Sequence, residues 1–128
     1  MNRIATVSRT TRETNVDVAI DLDGTGAADI ATGVGIYDHL LTSFAHHGMI
    51  DLTIRTEGDL HIDEHHTIED TALVIGTAID QALGGRAGIA RFASAAIPMD
   101  EALATCVVDV GGRPYAVFDV QFIGERIG

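Results

Sequence analysis

The segment TNVDVAIDL, residues 14–22, constrains the fold more than any other stretch of this chain. Val16, Val18, Ile20 and Leu22 fall on one side of an extended backbone, and Asp17, Ala19 and Asp21 on the other. A period of two with one apolar side describes a strand buried on one face and wet on the other. Such a strand requires a partner edge and a layer to cover it. The layer is supplied where the period changes. In GIYDHLLTSFAHHG, residues 35–48, Ile36, Leu40 and Phe44 recur every four residues, which predicts a helix stopped by Gly48. MIDLTIRT returns to period two through Ile50, Leu52 and Ile54, and EGD turns the chain into a short strand, LHI. From about Glu64 to Leu83 the chain reads as its longest helix, with Ile68, Ala72, Ile75, Ile79 and Ala82 as the inward stripe and Gly84–Gly85 as the stop.

Beyond it, RAGIARFA reads as a short turn of helix, and LATCVVDV and YAVFDVQF as strands joined by GGRP. The element order is β-β-α-β-β-α followed by β-β. VDVAIDLDGTGAADI and TCVVDVGGRPYAVFD share the plan of strand, glycine turn, strand, which points to an internal duplication. These readings predict an α+β protein with helices packed on mixed or antiparallel sheets. One domain is expected over residues 1–128, with a first repeat at about 14–85 and the start of a second at about 98–128.

Charge narrows the partners. The chain carries 19 acidic residues against eight arginines, with no lysine, for a net charge of −11. That field repels nucleic-acid backbones and anionic lipid, so neither is an expected partner. An anionic substrate must be held by local arginines. The candidates are Arg91 in GIARF and Arg113 in GGRPY, where a guanidinium and turn amides can meet one phosphate. Cys106 is the only cysteine, which excludes an internal disulfide, and its apolar run predicts a small core residue. The N-terminus lacks the apolar core of a signal peptide, so the cytoplasm is the expected compartment.

DLDGT, residues 21–25, matches the Asp-x-Asp-Gly-Thr signature of haloacid-dehalogenase-type phosphatases, whose first Asp is a nucleophile. The context argues against it. A nucleophile strand at the centre of a parallel sheet reads as an unbroken apolar run, whereas Asp17 breaks the run here and Asp21 shares its face. The cationic partner, normally lysine, is missing, and a weak strand follows where a helix or cap belongs. The expectation is a hairpin tip between two antiparallel strands.

GDLHIDEHHTIED, residues 58–70, is the strongest chemical signal. Asp63 is placed to cap the helix, leaving His65 and His66 in its first turn. The helix dipole there disfavours imidazolium and keeps the rings available to metal. Glu69 lies four residues from His65 and three from His66, so each pair can share a face. Neighbouring histidines diverge by about 100°, so the spacing suggests two sites flanking one helix end, or one site completed by another element. Imidazole and carboxylate without thiolate suit manganese, iron, nickel or zinc. His39 and His47 lie about 12 Å apart along their helix and cannot share an ion. His46 and His47 sit in the last turn, where histidine is favoured. Asp100 and Glu101, after Pro98, form an acidic pair suited to a base or to a solvated turn.

Taken together, RTTRETNV, DLDGTG, TGVGIYDHLLTSFAHHG, DLTIRTEGDLHIDEHHTIEDTALVIGTAI, GIARF, IPMDEALA and GGRPY resemble the imidazoleglycerol-phosphate dehydratase family of histidine biosynthesis. The resemblance covers essentially the whole chain. It implies a duplicated ββαββα fold, ribosomal protein S5 domain 2-like. It also implies a manganese-dependent hydro-lyase that converts imidazole glycerol phosphate to imidazole acetol phosphate. His39, His65, His66 and Glu69 are implied as metal ligands for two manganese sites per subunit. Glu13, His39, His47, Asp100, Arg91 and Arg113 are implied as substrate contacts, the arginines toward phosphate. Glu13, Glu69, His65 and His66 carry the implied catalysis. The leaving hydroxyl is not beside an acidic carbonyl α-hydrogen, so metal on the substrate imidazole is the implied electron sink. The implied partners are further copies of the chain, as trimers assembling with metal into a 24-mer. Family members continue past ERIG into a second set of helices, so this chain is expected to be poorly active or inactive by itself and to expose the face those helices cover. Two other classes fit the residues alone: a metal-dependent phosphoester hydrolase, and a non-catalytic metal-binding assembly module.

Overall fold

A computed structural model describes residues 2–121. The chain falls into two compact units, Met1–Gly84 and Gly85–Gly128, where a single domain was expected.

The first unit is a four-stranded sheet with two helices on one face. Its strands are β1 (Ile4–Thr10), β2 (Thr14–Asp21), β3 (Ala28–Ala31) and β4 (Asp51–Gly58), and its helices α1 (Gly35–Gly48) and α2 (His65–Leu83). The sheet order is β1-β2-β4-β3. The alternation in β2 has the expected consequence: Val16, Val18 and Ile20 are buried, while Asn15 and Asp17 face solvent. Leu52 and Ile54 of β4 join them, and Leu41, Ala45, Val74, Ile75 and Ala78 of the helices close one continuous core.

The helix faces differ from those expected. In α1 the buried residues are Leu41 and Ala45, and Ile36, Leu40 and Phe44 are exposed. In α2 the buried stripe is Thr67, Asp70, Thr71, Val74, Ile75, Ala78 and Ala82, and Ile68 and Ala72 lie outside it. Counting apolar residues missed this face because α2 turns threonines and one aspartate inward, where they find partners. Thr71 and Thr56 of β4 share a buried hydrogen bond of 2.8 Å. Helix α1 also runs through Gly48 and ends at Met49, which takes the left-handed conformation at φ 54°. LHI is a turn, closed by the Ile62 amide on the Asp59 carbonyl.

DLDGT forms a turn, but not the tip of a hairpin. β3 runs parallel to β4, and β4 is inserted between β3 and β2. Parallel neighbours need a crossover, and α1 provides it. β4 pairs with β2 over eight residues, from Thr14↔Gly58 to Asp21↔Asp51, which leaves the four-residue β3 as the short edge. The Asp21 carboxylate accepts the Asp23 amide at 2.9 Å, and Asp23 pairs with Arg3. Asp21 is therefore a turn former. Asp51 holds the rest of this loop. Its carboxylate accepts the amides of Thr25 (2.7 Å) and Ala27 (2.9 Å), and those amides keep its carboxyl below the usual range. Asp51→Ala is expected to raise amide exchange at Thr25 and Ala27 selectively, read by hydrogen-exchange NMR, with α2 protection unchanged.

β1 was not anticipated from the sequence, because IATVSRT has no apolar alternation as strong as that of β2. It is an edge strand, paired with β2 from Ile4↔Asp21 to Thr10↔Asn15.

The second unit contains an antiparallel pair, β5 (Phe92–Met99) and β6 (Ala102–Asp109). GIARFA leads into β5 and forms no helix. Asp100 and Glu101 are the two-residue loop between the strands, with Asp100 at φ 50°, a conformation Asp tolerates in tight hairpins. The described part of YAVFDVQF, residues 115–121, forms no strand, and Phe122 lies outside the described residues. Every residue of β5 and β6 is exposed, Cys106 included, which corrects its expected place in a core. No helix among the described residues is long and apolar enough to cross a membrane.

Candidate metal and substrate site

The N-terminus of α2 meets the β1–β2 turn and the end of β4. The N-cap position is Glu64, which makes no side-chain cap bond, and Asp63, expected there, stands one residue earlier, where its carboxylate accepts the His65 amide at 2.8 Å. The His65 and His66 rings diverge, 5.3 Å apart and 79° between planes. His65 Nε2 lies 3.5 Å from a Glu69 carboxylate oxygen, both side chains being more than half exposed. His66 turns the other way, with Nδ1 3.0 Å from Asp59 Oδ2. The hydrogen bond that His66 donates to Asp59 raises the His66 basicity above the usual imidazole range; partial burial opposes it, and the charges of Asp59, Glu13 and Asp63 add to it. The strand comes this close because residue 58 is glycine, where a Cβ would overlap the Thr67 hydroxyl.

Beside this helix end, Thr10 to Asn15, Glu57, Gly58, Asp59 and His61 line an open pocket of about 310 Å³. Glu13 is on its rim, exposed, its amide bonded to the Thr11 hydroxyl. The turn carrying Glu13 is anchored from below. Asp70, adjacent to Glu69, pairs with Arg9 and accepts the hydroxyls of Thr14 and, at 3.4 Å, Thr11. The Thr14 bond and the Arg9 pair hold the Asp70 carboxyl below the usual range despite burial.

The remaining sequence candidates are distributed over α1 and the second unit. His39 is exposed on α1. His46 and His47 pack edge to face in its last turn, 5.2 Å apart. In the second unit Arg91 forms a two-pronged pair with Asp109, at 2.6 and 3.0 Å, and stacks on Phe92. Arg113 lines a cavity of about 360 Å³ with Asp109, Gly111, Pro114 and Tyr115. An anion on Arg91 shares the guanidinium with Asp109 or competes with it. Asp100 stands at the hairpin tip described above.

Among the described residues no three His, Cys, Asp or Glu groups converge as a metal site. His65 with Glu69 supplies two donors on one open face of α2, an imidazole–carboxylate set that fits a borderline or hard divalent ion. The set leaves coordination positions for donors from elsewhere. Sequence reading missed Asp59 and Asp70. Asp59 looked like a turn residue after a glycine, and Asp70 like a solvated neighbour of Glu69. The register Thr67, Asp70, Thr71, Val74 was the available signal for Asp70.

The fold is α+β, two helices on one face of a mixed sheet, and the helix end presents the imidazole of His65 and the carboxylate of Glu69 outward. The family profile of imidazoleglycerol-phosphate dehydratase matches residues 32–128, and the chain belongs to that family. An imidazoleglycerol-phosphate dehydratase of Thermobifida fusca is 64% identical over 117 residues, covering 91% of this chain and 59% of the relative. One of Salinispora tropica is 59% identical over all of this chain and 63% of its own length. The crystal structure of the Staphylococcus aureus protein of that name superposes with a TM-score of 0.83 at 35% identity, over 98% of this chain and 68% of that one. That of Pyrococcus furiosus gives 0.76 at 37%, over 90% and 60%. The chain thus spans about three fifths of the length of these two curated relatives.

Proposed function

We propose that this chain carries the site of an imidazoleglycerol-phosphate dehydratase, a hydro-lyase of histidine biosynthesis that removes water from imidazole glycerol phosphate to give imidazole acetol phosphate. The observation that carries the reading is the paired geometry at α2. In a chain 64% identical to a protein of that name, His65 and Glu69 face outward together while His66 is held by Asp59. His65, His66 and Glu69 would hold manganese, with His39 in a set completed by other copies of the chain. Bound there, the metal supplies Lewis-acid stabilisation of charge developing on the substrate imidazole.

Glu13 stands on the rim of the pocket with Arg12, Asp59 and His61, and in this reading its carboxylate would move a proton between the substrate carbon and the departing hydroxyl. The Asp70 network fixes the turn that carries it, which keeps that carboxylate in position. Arg91 and Arg113 are the phosphate candidates, and Asp100 and His47 further substrate contacts. A homo-oligomer is supported by two features. Two donors on α2 leave a metal site incomplete, and Ile36, Leu40, Phe44 and Leu73 are exposed apolar side chains on the helices.

The test adds manganese to the purified chain, follows the substrate by product analysis, and measures mass by light scattering. Slow formation of imidazole acetol phosphate, abolished by chelation and accompanied by a rise in mass, is expected of a chain that is poorly active by itself. Product identity decides the matter, not rate. Release of inorganic phosphate in place of that product would assign hydrolysis. Metal-driven assembly with no product at high enzyme concentration would assign a binding role.

A further inference from the structure

The two histidines at the start of α2 are held differently. His65 has an exposed carboxylate four residues on, whereas the partner of His66 comes from another element and is largely buried. Asp59 follows Gly58 at the end of β4, and its side chain is 15% exposed against 41% for His66. Its Oδ2 takes the contact with His66 Nδ1, while its Oδ1 is buried without a hydrogen-bond partner among the described residues. A carboxylate oxygen left in that state is costly, so the chain retains Asp59 against a stability penalty. An ionised carboxylate only accepts hydrogen bonds, so the proton between the two groups belongs to Nδ1. The Nε2 lone pair is then directed away from Asp59.

We propose that Asp59 is a positioning residue, which locks His66 as the Nδ1–H tautomer and presents Nε2 as its metal-ligating atom. The inference rests on the metal reading of the α2 site. A histidine whose second nitrogen donates to a carboxylate is oriented before the ion arrives and is a more basic ligand. The pre-orientation applies to His66 and not to His65, so the two histidines contribute unequally.

Two variants of the full chain test this, Asp59→Ala and Asp59→Asn, each compared with the parent by circular dichroism, by nitrogen NMR of the imidazoles without metal, and by manganese titration. The metal-free parent should show His66 protonated at Nδ1, and Asp59→Ala should lose that preference. Its manganese affinity should fall by about 10–100-fold, as for loss of an orienting partner. Asp59→Asn keeps an accepting oxygen and should retain the tautomer with a smaller loss of affinity. A folded Asp59→Ala that keeps the Nδ1–H tautomer, or binds manganese as the parent does, overturns the proposal. If the parent itself binds no manganese, the metal reading falls, while the metal-free spectra still decide whether Asp59 sets the tautomer.

Discussion

Glu69→Gln is expected to lower manganese affinity by about 100-fold or more while leaving the melting temperature unchanged, since losing a ligand costs at least as much as losing the group that orients one. The reason lies in where the side chain stands. Glu69 is more than half exposed, with His65 Nε2 3.5 Å from its carboxylate. Nothing in the core depends on it, and surface substitutions away from buried features shift stability little. The amide of Gln keeps the size and removes the charge, so the variant isolates the carboxylate's part in holding a cation. Calorimetric titration with manganese and a thermal melt, run on the same preparation, separate the two effects. Unchanged affinity would take Glu69 out of the ligand set.

The next residue along has the opposite expected behaviour. Asp70→Ala should destabilise the chain by roughly 2–3 kcal/mol, because it removes an ion pair and two hydrogen bonds at a largely buried site and leaves the Thr14 hydroxyl buried without its acceptor. On a unit of this size that corresponds to a fall of about 10 °C or more in melting temperature. The pH dependence follows from the same contacts. Thr14 and Arg9 hold the Asp70 carboxyl below its unfolded value, so the unfolded chain binds the more protons between the two values. The stabilisation is fully present above the unfolded carboxylate range, near pH 4, and is lost as pH falls through the folded value. The stability gap between parent and Asp70→Asn should therefore be smallest at low pH, widen as pH rises through the folded value to about pH 4, and stay constant above it. A gap that does not change below about pH 4 would show that the carboxylate charge contributes nothing.

The contrast between these adjacent acids shows where local pattern ceases to inform. Both occur in TIED, and their residue types alone do not separate them. Only the rotation of α2 on the sheet sends Glu69 to solvent and Asp70 beneath the β1–β2 turn. The same rotation moved the buried stripe from Ile68 and Ala72 to Thr67, Thr71 and Val74. Hydroxyls take inward positions when partners such as Thr56 wait opposite them. In α1 the buried face carries Leu41 and Ala45, and Ile36, Leu40 and Phe44 are left exposed.

The sequence by itself determined what local chemistry can determine. The two-residue period of β2 settled which side chains face the core, because a strand has only two faces. The spacing of His65, His66 and Glu69 settled that imidazole and carboxylate share a helix end, because 3.6 residues make a turn. Their motifs also pointed to the family that the comparisons show. Tertiary structure alone decided which strand lies beside which. DLDGT turns the chain back on itself, but β4, brought in by the α1 crossover, takes the edge of β2 that β3 was expected to hold. It alone also set Asp59 against His66 and Asp70 against Arg9 and Thr14. Those pairs are separated by 7 to 61 residues, and such contacts exist only once the sheet has fixed the register between distant segments.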